Sequence, residues 1–436
     1  MLQRSALADT ICRTTDLGVT ITDAAIDAED RTHLFCGLRA PNSTCPGCGS
    51  VGRLRDHVDR EVTDLPIVGH PTVLHLTVPR YVCGNSDCAT TIFRANISSI
   101  VATRSAVTRR TTTWILRAMI CDKMSVTAVA AAVGLSWGTV NTLAVEAVKK
   151  LAAAPAHLAG VRVLGVDEHK WKHVRGHGDS SWVTVLVDLT PIVDGTGPAR
   201  LLDMVAGRSK AALKDWLGER DQSFRERIRV VTMDGFSGYR TATEETLAKA
   251  RPVMDPFHVV QLAGDKLTLC RQRVQHDTCG HRGRTGDPLY GIRRTLLTRI
   301  ALLTDKQKSR LRTGLDAHED HLAVSVTYAV YQELIAAYDH HNRRRGKIAM
   351  YKVLKKIRKG LPAGLPELAQ LGRSLWTRRA EILAYFDTGA SNGPVEAING
   401  RLEHLRGIAL GFRNLKHYIL RSLIHSGQLA NTLNAL

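Results

Sequence analysis

Val161-Arg-Val-Leu-Gly-Val166 is a short apolar run with Asp167 at its end, and Ile228-Arg-Val-Val-Thr-Met233 repeats the pattern with Asp234 as its next residue. Short runs rich in β-branched side chains read as strands. Three more, 183–189, 201–205 and 252–254, lie close by, so a sheet is expected between residues 161 and 254. Helical patterns separate the later runs: 210–217, with Ser209 as N-cap and Gly218 as its end, and roughly 239–250. Three closely spaced strands followed by alternating helix and strand make an α/β layout with a mixed sheet. Acids at strand ends in such a sheet stand at the edge where ligands bind.

Further along, residues 257–436 carry almost no strand signal and read as helices throughout. Among them, Ser391-Asn-Gly-Pro-Val-Glu-Ala-Ile-Asn-Gly-Arg401 opens a helix, with Glu396 early and Asn399 and Arg401 beyond it. Taken singly, Asp167, Asp234 and Glu396 resemble ordinary turn or capping residues. Converging on one edge, they would suit hard divalent cations, magnesium or manganese, which take oxygen ligands and keep several waters. Two such ions per site can activate an attacking oxygen and stabilise a leaving one in an in-line phosphodiester displacement.

The 436 residues include 60 lysines and arginines against 41 acids, a formal charge of +19. That balance points to a polyanion, double-stranded DNA above all, as partner. Hydrophobic residues make up 44%, enough for real cores, and no apolar run is long enough for a membrane span. The opening MLQRSALADTICR does not read as a secretion signal, so a cytoplasmic, nucleoid-associated protein is expected. Among nine cysteines, Cys45-Pro-Gly-Cys48 and Cys83-Gly-Asn-Ser-Asp-Cys88 form two knuckles, the pattern of a closed structural site for one zinc ion. Cys12, Cys36, Cys121, Cys270 and Cys279 lack comparable partners.

From Ser125 to Ala144 the chain reads as a helix-turn-helix: Ala130 at the crossing, Gly134 at the turn, Ser136 as cap, and Val140 and Leu143 facing the core. Trp137, Thr139, Asn141 and Thr142 would then face a major groove. Arg104, Arg109 and Arg110, just upstream, could hold phosphates.

In this order the chain resembles the DDE transposases of bacterial insertion sequences, specifically the family written ISL-three. The resemblance rests on Gly165-Val-Asp-Glu168, Met254-Asp-Pro-Phe-His-Val259 and the block SNGPVEAINGRLEHLRGIALGFRNLKHY at 391–418. It implies a multidomain α/β chain: a zinc-ribbon-like module (1–105), a helix-turn-helix (106–156), and an RNase H-like core with a mixed sheet (157–256). An all-helical insertion (257–388) and the core's C-terminal helices with the catalytic glutamate (389–436) complete it. By the same resemblance Asp167, Asp234 and Glu396 are the catalytic metal-binding triad. It implies recognition of terminal inverted repeats, cleavage, joining of the 3′ hydroxyl to target DNA, and a homodimer or higher homo-oligomer on DNA. The match is weakest around Asp234, which leaves Asp255 as an alternative second ligand, better suited to a supporting role. A nuclease that only hydrolyses DNA, and a DNA-binding regulator with an inert core, are the competing functions.

Within the insertion, 343–359 holds nine lysines and arginines and no acid. From Lys347 onward the pattern is helical, with Met350, Val353, Leu354 and Ile357 on one stripe and Lys352, Lys355, Lys356 and Lys359 on another face. With Arg343, Arg344 and Arg345 this reads as a phosphate-binding ridge rather than a plain solvated face. Arg401, Arg406 and Arg413 of the signature block join the expected DNA contacts. His169, His173 and His177 recur every four residues but read as a hairpin loop. His258 could touch DNA or be a buried imidazole, and Trp171, Trp182 and Trp216 read as packing.

Overall fold

The computed structural model describes residues 2–173, 181–359 and 361–435. The chain forms two compact units: residues up to Ala154 together with those from Leu423 onward, and Pro155–Ser422. The expected boundary between zinc module and helix-turn-helix is therefore not a boundary between separate bodies.

The first unit opens with α1 (Leu2–Ile11) and a sheet of β1 (Val19–Ile26), β2 (Thr32–Leu38), β3 (Arg53–Ile67), β4 (His70–Val82) and β5 (Ile92–Arg94). The order is β1-β2-β4-β3 with β5 pairing β4, and only β2 and β4 run parallel. Val68 and Gly69 join β3 to β4 with φ of 51° and 89°, a two-residue turn whose twist matches a hairpin. The helices α2 (Arg109–Ile120), α3 (Val126–Val133) and α4 (Trp137–Ala153) follow. Ser125 and Ser136 accept from the N–H groups of Ala128 and Thr139 as caps, and Gly134 ends α3 at φ 66°. The chain bends by 115° between α3 and α4, as a helix-turn-helix requires.

In the second unit β6 (Val163–Lys170), β7 (Trp182–Asp188), α5 (Thr190–Asp194), β8 (Arg200–Ala206), α6 (Lys210–Gly218), α7 (Gln222–Arg227), β9 (Val230–Met233), α8 (Ser237–Thr246) and β10 (Arg251–Met254) build a mixed sheet. Its order is β10-β9-β6-β7-β8, with β6, β7 and β8 antiparallel and β9 and β10 parallel to β6. This is the RNase H-like layout. The strands match the expected runs except that β6 continues through Lys170, so Asp167 lies inside the strand, paired with Val185. Its parallel neighbour β9 pairs only with Val163–Gly165, which leaves that side of β6 open beyond Gly165.

The insertion comprises α9 (Pro256–Cys279), α10 (Pro288–Gly291), α11 (Asp305–Leu315), α12 (Leu322–Tyr338), α13 (Arg343–Arg358), α14 (Pro366–Thr377) and α15 (Arg379–Thr388) around a core that includes Leu267, Leu334, Met350, Leu354, Leu368 and Ile382. Its two ends lie side by side, because Arg251 on β10 pairs with Asp387 on α15 at 2.6 Å. The basic helix starts at Arg343, four residues earlier than its periodicity suggests, because Asn342 caps it through the N–H of Arg345.

Last come α16 (Gly393–Ile408), α17 (Leu415–Ser426) and a 3-10 segment, Leu429–Ala435. Residues from Leu423 onward belong to the first unit, where Lys123 donates to the Ile424 carbonyl at 3.2 Å and Leu423, Ile424 and Leu429 are buried. The expected 389–436 segment is thus divided at 422/423. No single helix among the described residues is long and apolar enough to cross a membrane.

Candidate active site

The site grows from the end of the β6–β9 ladder. Asp167 lies two residues beyond the last residue of β6 that pairs with β9, and Asp234 directly follows β9. Glu396 sits in the first turn of α16, which packs against β6. That approach depends on Gly165: a Cβ there would lie 2.5 Å from Cγ2 of Val395. Asp167 is buried, Asp234 half-buried and Glu396 exposed, so the group opens from the sheet edge towards solvent.

Burial pushes the Asp167 carboxyl up to about 8, and the charges of Glu396 and then Asp234 add to the effect, whereas the Glu168 N–H works against it. Asp167 therefore lies within the field of both other acids. Asn399, one turn beyond Glu396, donates from Nδ2 to Oδ2 of Asp167 at 3.0 Å. A divalent cation would offset the repulsion, and a set of carboxylate oxygens is the donor chemistry that magnesium and manganese take. Beside the acids, a cleft of about 740 Å³ is lined by Glu168, Arg208, Ser209, Asp234 and Phe236. Asp255 is buried, and its oxygens accept from the N–H groups of Asn392 (2.6 Å) and Phe257 (3.0 Å), which fits the supporting role.

Of the histidines, His169 lies in β6 rather than in a loop, is buried, and contacts the Tyr418 hydroxyl at 2.7 Å. Burial lowers its pKa to about 4, which keeps it neutral. His177 lies outside the described residues. His258 is half-buried, and its Nε2 has no hydrogen-bond partner among the described residues. Trp171 and Trp216 are buried, as expected, and Trp182 lies under the Arg208 guanidinium, 4.4 Å from its ring centre. Sequence reasoning missed Arg378 and Glu381. Arg378 donates to the Gly235 carbonyl at 2.6 Å, and buried Glu381 pairs with Arg378 and Arg240, fixing the loop after Asp234. An acid in the apolar stretch that follows Arg378 and Arg379 is the only signal they left.

In the first unit the four sulfurs of Cys45, Cys48, Cys83 and Cys88 lie within 4.8 Å of one another, with 3.9 Å between Cys45 and Cys88 and 3.4 Å between Cys48 and Cys83. Tetrahedral zinc with Zn–S near 2.3 Å places its sulfurs about 3.8 Å apart, so the cluster fits zinc. Hydrogen bonds from the Ser50 side chain and backbone lower the Cys48 thiol to about 6, towards the thiolate that a metal needs. At Gly47 a Cβ would lie 2.8 Å from Oγ1 of Thr90 and 3.2 Å from the Cys88 sulfur, which explains the glycine in the first knuckle.

The expected DNA contacts divide. Trp137, Thr139 and Thr142 are exposed on α4, but Asn141 is buried at 4% exposure and Leu143 only half-buried. Asn141 is therefore corrected from groove reader to packing residue: α4 lies against both α2 and α3, which widens its covered arc beyond a single stripe. Arg110 pairs with fully buried Asp64 and donates to the Arg13 carbonyl, a structural engagement rather than a free phosphate hook. Arg109 is exposed and donates from Nε to Ser98 O at 2.6 Å, and Arg104 is exposed. Arg343, Arg344, Arg345, Lys352, Lys355, Lys356 and Lys359 are all exposed, although Lys356 pairs with Glu333 at 2.8 Å. Arg406 pairs with Glu403, Arg401 donates from Nε to the Ala397 carbonyl one turn back at 3.3 Å, and Arg413 is exposed.

A family profile described as a DDE transposase of the ISL3 type matches residues 164–422, and one described as a zinc-finger of transposase IS204/IS1001/IS1096/IS1165 matches residues 41–88. The chain is 23% identical over 427 residues to the transposase for insertion sequence element IS1557 in two strains of Mycobacterium tuberculosis, covering 91% of this chain and 89% of each relative. Among solved structures it is similar to the Drosophila P element transposase strand transfer complex, with 13% identity and a TM-score of 0.37 over 76% of this chain and 94% of that one. With more than half its length matched by the family profile, the chain belongs to the ISL3 family of DDE transposases.

Proposed function

We propose that this transposase binds the terminal inverted repeats of its element, cleaves the DNA at the ends and joins the freed 3′ hydroxyl to target DNA, with Asp167, Asp234 and Glu396 as catalytic residues. The observation that carries the reading is the buried Asp167, raised by the charges of Glu396 and Asp234 and held by Asn399 from the glutamate's own helix. Magnesium or manganese, two ions per site, would supply the Lewis acidity that activates the attacking oxygen and stabilises the leaving one. The chain's part is to hold the three acids at one sheet edge: Asn399 orients Asp167, the Phe236 N–H bonds Oδ1 of Asp234 at 2.9 Å, and α16 presents Glu396.

DNA is positioned by exposed cations on α13 and by Arg413, and is read by Trp137, Thr139 and Thr142 on α4. One zinc ion holds the four-cysteine cluster. A homodimer or higher oligomer would bring two ends together, acting on chromosomal DNA in the bacterial cytoplasm. A strand-transfer assay with the element's ends and a target plasmid tests the reading. Joined products that require added magnesium or manganese are expected. Released ends without joined products would assign a nuclease instead, and neither product would leave only a DNA-binding regulator.

A further inference from the structure

Asn392 stands immediately before α16 and is fully buried. Its polar groups reach a different part of the site one by one. Nδ2 donates to the Val166 carbonyl at 2.9 Å, next to Asp167. Oδ1 accepts from Oγ1 of Thr232 at 2.5 Å, two residues before Asp234. The backbone N–H donates to Oδ1 of Asp255 at 2.6 Å, and the backbone carbonyl accepts from the N–H groups of Val395 and Glu396 at 2.8 and 3.0 Å. One residue is thus bonded to the neighbour of Asp167, to a residue two before Asp234 and to the backbone of Glu396 itself.

The contact with Val166 shows why an amide stands there. The ladder between β6 and β9 ends at the pair Gly165–Thr232, so Val166 lies one residue beyond it. The strands part at that point, which makes room for carboxylates but leaves buried backbone and hydroxyl groups to be satisfied. An asparagine side chain donates to one strand and accepts from the other at once. An aspartate could not donate to the Val166 carbonyl, and an apolar residue would leave both Val166 O and the Thr232 hydroxyl unpaired in the interior.

We infer that Asn392 is the positioning residue that sets the spacing of Asp167, Asp234 and Glu396, with Thr232 and Asp255 as its supports. The inference rests on the reading of those acids as the metal-binding triad. Groups that orient metal ligands from behind typically change metal affinity or activity by about 10–100-fold when lost.

The test uses the full chain bound to a DNA end of its element, with Mn2+ binding followed by electron paramagnetic resonance alongside cleavage rate, end-binding affinity and zinc content. Asn392→Ala should raise the Mn2+ midpoint about ten-fold and slow cleavage about 10–100-fold, with end affinity and zinc content unchanged. Thr232→Val should shift the midpoint in the same direction, and Thr232→Ser, which keeps the hydroxyl, should stay near the parent. A folded Asn392→Ala protein with the parent's Mn2+ midpoint and cleavage rate overturns the assignment. Where Asn392→Ala does not fold, equal midpoints for Thr232→Val and Thr232→Ser overturn it. Asp167→Asn separates the two levels: if it abolishes Mn2+ binding while Asn392→Ala does not alter it, only the positioning role fails. If Asp167→Asn leaves binding intact, the triad itself fails.

Discussion

A methyl group added at position 165 would lie 2.5 Å from Cγ2 of Val395 and 2.9 Å from Cδ1 of Leu189, both buried side chains. Carbon atoms need about 3.5–4 Å, so α16 must retreat from β6 by roughly 1 Å. Val395 cannot turn aside, because a β-branched side chain in a helix has essentially one rotamer. Overpacking of this kind costs about 1–3 kcal/mol, which a thermal melt of Gly165→Ala should register as a modest loss. The larger effect is on chemistry. Glu396 follows Val395 directly, and a shift of about 1 Å in a reacting group can cost about 10²-fold in rate. Cleavage of labelled element ends should therefore fall about 10²-fold while end binding holds, and Gly165→Ala/Val395→Ala, which removes the closer of the two clashes and leaves that with Leu189, should recover part of the rate. Parent-like cleavage by Gly165→Ala would refute the close approach of helix and strand as the determinant. A defect that Val395→Ala does not relieve would locate the cause elsewhere.

Three further outcomes are expected. Cys48→Ser should lose bound zinc by elemental analysis and weaken end binding through local unfolding of the first unit; retention of stoichiometric zinc would remove Cys48 from the cluster. Asp167 has a folded-state pKa near 8 against an ordinary 3.8. Its contribution is therefore complete below about pH 4 and is lost as pH rises through 8, so without added divalent metal the protein should become less stable over that window. Urea unfolding at several pH values should show this fall for the parent and a flatter profile for Asp167→Asn, and identical profiles would contradict the assignment. Lys352, Lys355 and Lys359 changed together to glutamine should reduce the salt dependence of DNA binding by up to about one unit of slope per lysine; Lys356 is left out because Glu333 already pairs it. An unchanged slope would make α13 a solvated face.

The catalytic sheet was legible because its five strands are built on short apolar runs, and the observed bounds differ from the expected runs by only a few residues. The continuation of β6 past Asp167 was not, since Glu168-His-Lys170 carries no apolar signal and is held in the strand by pairing with Trp182 to Thr184 on β7. The cysteine cluster could be read from spacing alone, because four thiolates in two turns leave few geometric choices. Asn141 was misread because single-helix periodicity assumes one covered face, whereas α4 has two neighbours. The docking of residues after Leu423 with the first unit is a tertiary fact that leaves no local trace. The same holds for Asn392 and Thr232, which are 160 positions apart yet bonded in the interior.

The most direct measurement is anomalous scattering from Mn2+ in crystals of the protein bound to a cleaved element end. The account predicts two peaks about 3.5–4 Å apart, with Asp167, Asp234 and Glu396 as the protein ligands that hold them. Peaks coordinated by Asp255 instead of Asp234, or no peak beside Glu396, would contradict it.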